Sequence, residues 1–112
     1  MGENKLGILQ GTLDLMVLKT LEGAGPMHGY GIARRVEVVS GNVLSLNQGS
    51  IHPALLRLKQ RGWIKAEWGV SETRRRARFY QLTEMGRSEM KKETENWKRI
   101  AGIMTRFLAP GG

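Results

Sequence analysis

Two groups of side chains carry the chemistry of this chain. The run Gly49-Ser50-Ile51-His52-Pro53-Ala54-Leu55-Leu56-Arg57-Leu58-Lys59-Gln60-Arg61-Gly62-Trp63 puts a hydroxyl, an imidazole, an amide and several cations on one short segment. Further on come Arg74, Arg75, Arg76 and Arg78. Guanidinium groups bind phosphate through paired N–H donors, and hydroxyl, imidazole and amide groups both donate and accept hydrogen bonds. A small helix with one apolar face, followed by an arginine-tipped arm, suits gripping a double helix.

Other chemistries fit poorly. Gly29-Tyr30-Gly31-Ile32-Ala33-Arg34 follows a dinucleotide fingerprint only to its second glycine, and it falls inside a helical pattern rather than after a strand. His28 and His52 are far apart, with no carboxylate cluster spaced for a metal, and no serine has an evident base. The sequence therefore predicts no catalytic residues, no metal and no cofactor. The alternative to DNA is a fold of this kind used for protein–protein contact, which would associate with duplex weakly and without salt dependence.

The charge distribution favours the nucleic-acid reading. The net charge is +8, yet residues 1–49 hold four basic and four acidic side chains. Residues 50–78 hold eight basic and only two acidic ones, for +6. Local cationic surface draws phosphate by counterion release; the plainer reading is a solvated basic face. At 112 residues the expectation is one domain, and the absence of cysteine suits a reducing compartment. No apolar run approaches the ~20 residues that span a bilayer, and Met1-Gly2-Glu3-Asn4-Lys5 lacks the basic flank and apolar stretch of a signal peptide. These features lead to the expectation of a soluble, cytoplasmic protein without a membrane partner.

Hydrophobic spacing gives the elements that must position the two groups. Leu9, Leu13, Met16, Val17 and Leu21 predict a first helix from Leu9 to Leu21, stopped by Gly23-Ala24-Gly25-Pro26. A second helix runs from about His28 to Val39, and Val43–Leu46 reads as a short extended piece. Asn47 caps a third helix near 49–61, with Ile51, Ala54, Leu55 and Leu58 on its buried face and Gly62 as a left-handed stop. Pro53, lacking an N–H, prefers the first turn, so regular helix should begin near Gly49 or Ser50. Trp63–Val70 and Ala77–Leu82 alternate as strands around the polar, cationic stretch 71–76, giving a β-hairpin with a basic tip. Thr83 caps a last helix from Glu84 to about Leu108, before the tail 109–112. The fold class is mainly α with a small β-hairpin (α+β).

The last helix repeats Met90, Trp97 and Met104 every seven residues, with Ile100 and Phe107 as a second row. That pattern predicts a partner helix, hence a homodimer, with the helix folding back onto its own core as the alternative.

Four runs resemble the PadR family of bacterial transcription regulators. They are Gly11-Thr12-Leu13-Asp14-Leu15-Met16-Val17-Leu18-Lys19-Thr20-Leu21, Gly25-Pro26-Met27-His28-Gly29-Tyr30-Gly31-Ile32-Ala33, Gly49-Ser50-Ile51-His52-Pro53-Ala54-Leu55, and Arg75-Arg76-Ala77-Arg78-Phe79-Tyr80-Gln81-Leu82-Thr83. The resemblance implies a winged helix-turn-helix over 1–83 with an N-terminal extra helix, and a dimerisation helix over 84–108. It also implies operator binding, usually as a repressor relieved by a small apolar or phenolic effector. The single C-terminal helix resembles the compact branch of the family. His52 departs from the family's usual tyrosine and Ile51 from its leucine, so any contact made through that phenol is in doubt here. The histidine opens either an altered base preference or pH sensitivity, against a plain bond to phosphate or water.

Within that frame Asn47, Gln48, Ser50 and His52 stand at the entrance of the third helix, nearest the base edges of a major groove. Leu56 could touch a thymine methyl, Arg57 could reach a guanine or a phosphate, and Gln60 lies further along. Arg74, Arg75, Arg76 and Arg78 suit backbone phosphate or a narrow minor groove. A dimer would read a near-palindromic operator with half-sites about 34 Å apart. The compact branch implies an apolar cavity at the dimer interface with Trp97 stacking on flat ligands, lined by Met90, Ile100 and Met104; Trp97 packing the seam is the alternative.

Overall fold

The computed structural model describes residues 10–111. Leu9, proposed as the start of the first helix, the N-terminal residues Met1–Lys5 and the last residue of the tail lie outside that range. Four helices and a small antiparallel sheet follow one another as α1 (Gln10–Ala24), β1 (Met27–His28), α2 (Gly29–Val39), α3 (Gln48–Gln60), β2 (Ile64–Val70), β3 (Arg76–Leu82) and α4 (Glu84–Leu108). The sheet order is β1-β3-β2.

The core forms where the apolar stripes of α1, α2 and α3 meet the base of the sheet and the start of α4. Val17, Leu18, Ile32, Ile51, Leu55, Leu58, Ile64 and Met90 are its fully buried centre. All four residues assigned to the inner face of α3, namely Ile51, Ala54, Leu55 and Leu58, are buried. Among the described residues one charged side chain goes in with them. Asp14 of α1 is 4% exposed, and Arg57 of α3 meets it with two hydrogen bonds, Nη2 to Oδ1 at 2.7 Å and Nε to Oδ2 at 3.3 Å. Buried carboxylates need this kind of pairing.

Helix ends follow local chemistry. The Asn47 side chain accepts from the Ser50 N–H and starts α3 at Gln48, earlier than the proline suggests. Pro53 consequently sits in the second turn, where its missing N–H leaves the Gly49 carbonyl without the usual helical donor. Gly62 (φ +80°) ends α3 as expected. The Gly62 N–H bonds the Lys59 carbonyl and the Trp63 N–H bonds the Leu58 carbonyl, the paired closure of a left-handed helix stop. α1 continues to Ala24, past Leu21, until Gly25 (φ +77°) donates to the Leu21 carbonyl.

The segment 43–46 is not a strand. The Leu46 N–H bonds Glu37 Oε2 and the Leu44 N–H bonds Ser40 Oγ, so side chains of α2 and its C-cap supply the partners that a ladder would have given. The hairpin is also more than a hairpin. Met27 and His28 pair with Tyr80 and Phe79, adding a short third strand that periodicity cannot reveal in two residues.

Thr83 joins α4 to the rest. Its hydroxyl accepts from the Gly86 N–H (3.0 Å) and donates to the Gly62 carbonyl (2.7 Å), while its own N–H bonds the Trp63 carbonyl. Gly86 is obligatory here, because a Cβ on it would lie 1.9 Å from the Trp63 oxygen. Beyond Met90 α4 runs out of the body of the domain, and the molecule is 57 Å in its longest dimension against 31 and 21 Å in the others.

Candidate nucleic-acid interface

One face of the sheet changes character along its length. Across β2 and β3, Ile64 faces Leu82, Ala66 faces Tyr80, Trp68 faces Arg78 and Val70 faces Arg76. The first two pairs reach into the core, whereas the last two stand out on the wing. The tip is a tight turn: the Arg74 N–H bonds the Ser71 carbonyl, and Ser71 Oγ and Thr73 Oγ1 share a hydrogen bond. Arg74 takes a left-handed backbone (φ +63°) that glycine would occupy more readily.

Between this wing, the start of α2 and the start of α3 lies an open cleft of about 1190 Å³. His52, Arg75, Arg76 and Arg78 line it, and so do Tyr30, Arg34, Arg35 and Trp68, which sequence reading did not single out. Tyr30 is 70% exposed, because α2 begins at Gly29 and the tyrosine ring projects from the first turn into solvent. The arginine pair 34–35 carried a signal, since two adjacent cations follow a glycine-rich helix start.

His28 links the two walls of the cleft. Its Nδ1 accepts from the Gly31 N–H and caps α2, which leaves Nε2 as the protonated atom, 3.6 Å from Glu72 Oε1 at the wing tip. The Glu72 carboxyl is held below its ordinary pKa first by its own backbone N–H and then by His28. The Glu72 side chain is 87% exposed, so the pair adds little to the stability of the fold.

On α3, His52, Leu56 and Gln60 recur every four residues and are all exposed, Leu56 at 56%. This is the outward stripe anticipated for reading. Ser50 is half-buried, and Asn47 is exposed with its side chain committed to the cap; the Gln48 side chain is outside the described residues. Arg57 needs correction. Its guanidinium is tied to Asp14 and its side chain is only 25% exposed, so it braces α3 on α1 instead of facing a base or phosphate. Arg61 approaches the same carboxylate at 3.7 Å.

Met90 is a second correction. It is 2% exposed and belongs to the core of its own domain, because the first two turns of α4 are still packed on α1 and β3. The open apolar stripe starts later: Trp97, Ile100, Met104 and Phe107 are 50%, 53%, 50% and 76% exposed, joined by Ile103 and Leu108. Trp97 also lines a groove of about 770 Å³ with Leu15 and Met16 of α1 and Val36 and Val39 of α2. Among the described residues no helix is long and apolar enough to cross a membrane, and no group of acidic and histidine side chains is placed to hold a metal ion.

The model of the PadR-like family of transcriptional regulators matches residues 17–92, which is more than half of the chain. The chain belongs to this family. A transcriptional regulator from Clostridium thermocellum has the same architecture, with a TM-score of 0.80 at 25% identity over 89% of this chain and 96% of that one. A PadR family transcription regulator from Clostridium difficile gives 0.73 at 26% identity, over 87% of this chain and 98% of its own. A 37.1 kDa protein in transposon TN4556 of Streptomyces fradiae is 35% identical over 86 residues, which is 77% of this chain. The chain spans only 23% of that protein's length. In PadR-like terms α2 and α3 are the helix-turn-helix pair of a winged helix, and β2–β3 is its wing.

Proposed function

We propose that this PadR-like regulator binds operator DNA as a homodimer and represses transcription until a small apolar or phenolic effector displaces it. The observation that carries the DNA-binding step is the convergence of His52 with Arg75, Arg76 and Arg78 around one open cleft, beside the exposed stripe of α3. The stripe enters the major groove, and the wing arginines take phosphate or the adjacent minor groove. Selection of bound sequences from random duplexes tests this reading, with a near-palindrome of half-sites about 34 Å apart as the expected product. Weak association that ignores salt would favour a protein-binding role instead.

The exposed apolar run on α4 supports the dimer, since patches of this size are seldom left open. The groove beside Trp97 supports the effector step, because an indole flanked by methionine and valine offers a flat ligand an adaptable apolar bed. Quenching of Trp97 fluorescence by simple phenolics, measured with Trp63 and Trp68 replaced by phenylalanine, is the expected result. Unchanged emission at saturating phenolic would remove the effector step while leaving DNA binding intact.

A further inference from the structure

Trp68 stands directly across from Arg78 in the β2–β3 ladder, and Arg76 is two residues further out on the same face. The Arg76 guanidinium lies 4.5 Å from the indole centroid and that of Arg78 lies 5.5 Å from it. Two cations therefore share one aromatic ring, although Trp68 is 57% exposed and contributes little to the core. Arg78 Nε is buried and has no hydrogen-bond partner among the described residues. The indole is thus the neighbour that the two guanidinium groups share, and no described carboxylate pairs with either arginine. Two neighbouring arginines repel each other and would otherwise sample many rotamers; the negative face of an indole offsets the repulsion and limits that freedom.

We propose that Trp68 is a positioning residue for the wing: its ring holds Arg76 and Arg78 extended and uncommitted, ordered in advance for DNA phosphate. The idea rests on the DNA-binding reading above, and it goes further in making an uncharged surface residue a determinant of affinity. Ordering that exists before binding does not have to be imposed during it, so the benefit appears as affinity without added charge.

A double-mutant cycle on the full-length protein tests the proposal, using one operator duplex and a salt titration for each variant. Trp68→Ala is expected to weaken binding roughly fivefold to tenfold, the loss of two exposed cation–π contacts, with an unchanged salt slope and an unchanged thermal midpoint. Trp68→Phe restores most of the loss. In an Arg76→Ala/Arg78→Ala background the same Trp68→Ala change should cost nothing further. Side-chain proton shifts of Arg76 and Arg78, moved upfield by the indole and returned to ordinary values in Trp68→Ala, report the stacking without DNA. Wild-type affinity in Trp68→Ala, or an equal loss in both backgrounds, overturns the positioning role. Failure of the unmodified protein to bind any selected duplex overturns the DNA-binding reading itself, and the proton shifts then show whether the stacking exists apart from it.

Discussion

Arg57 and Asp14, 43 residues apart in the chain, form a two-point ion pair that fastens α3 to α1. Removing one partner of a buried pair leaves the other charged and desolvated. Arg57→Ala should therefore lower folding stability by about 3 kcal/mol, whereas Leu56→Ala on the neighbouring exposed position should stay within roughly 0.5 kcal/mol. Chemical denaturation of the two variants checks this. A stable Arg57→Ala with reduced DNA affinity would return the residue to the reading surface.

Arg75 and Arg76 are fully on the outside of the wing and have no structural partner of that kind. Arg75→Ala and Arg76→Ala should weaken binding to all duplex sequences and flatten the salt slope by about one unit each. Filter binding across a salt series measures both quantities, and an unaltered slope would take these residues off the DNA.

Gly86 and Gly102 lie on the same helix but in opposite circumstances. A Cβ at Gly86 collides with the Trp63 carbonyl, while one at Gly102 meets nothing within 4 Å. Gly86→Ala should cost about 3 kcal/mol or more by forcing the joint apart, and Gly102→Ala should stabilise the protomer by roughly 1 kcal/mol through helix propensity. Thermal unfolding distinguishes the two at once.

Met90 and Ile100 separate the core from the exposed stripe of α4. Met90→Ala should destabilise the protomer by about 2–5 kcal/mol, as core truncations do. Ile100→Glu should leave the protomer folded and shift sedimentation from dimer to monomer. If Ile100→Glu sediments like the unmodified protein, the α4 stripe is not the dimer seam.

Arg74 offers a test of the turn. Arg74→Gly removes a charge and relieves a left-handed backbone at once, so stability should rise by up to about 1 kcal/mol while DNA affinity falls. A loss of stability would mean that the arginine side chain itself holds the tip.

Much of this was legible in the sequence where one residue type has one physical job. Asn47 and Thr83 cap helices because their oxygens accept an orphan N–H, Gly62 stops α3 because glycine takes the required φ without steric cost, and the face of α3 follows from 100° per residue. What was hidden depends on partners distant in the chain. Arg57 looks like any helix cation until Asp14 is beside it, and Met90 fits a heptad row until the domain body is seen to cover it. Trp68 carried the pattern of a buried strand residue, but the wing extends beyond the core and leaves the ring to the arginines.

The joint of Gly62, Thr83 and Gly86 makes α4 a lever welded at one end. At 1.5 Å per residue the stretch beyond Met90 makes an arm of about 27 Å, so a tilt of roughly 5° at its base sweeps the far end by about 2 Å. A clamp on the far end would bear directly on the base of the wing and the tail of α3, because the same joint holds all three together.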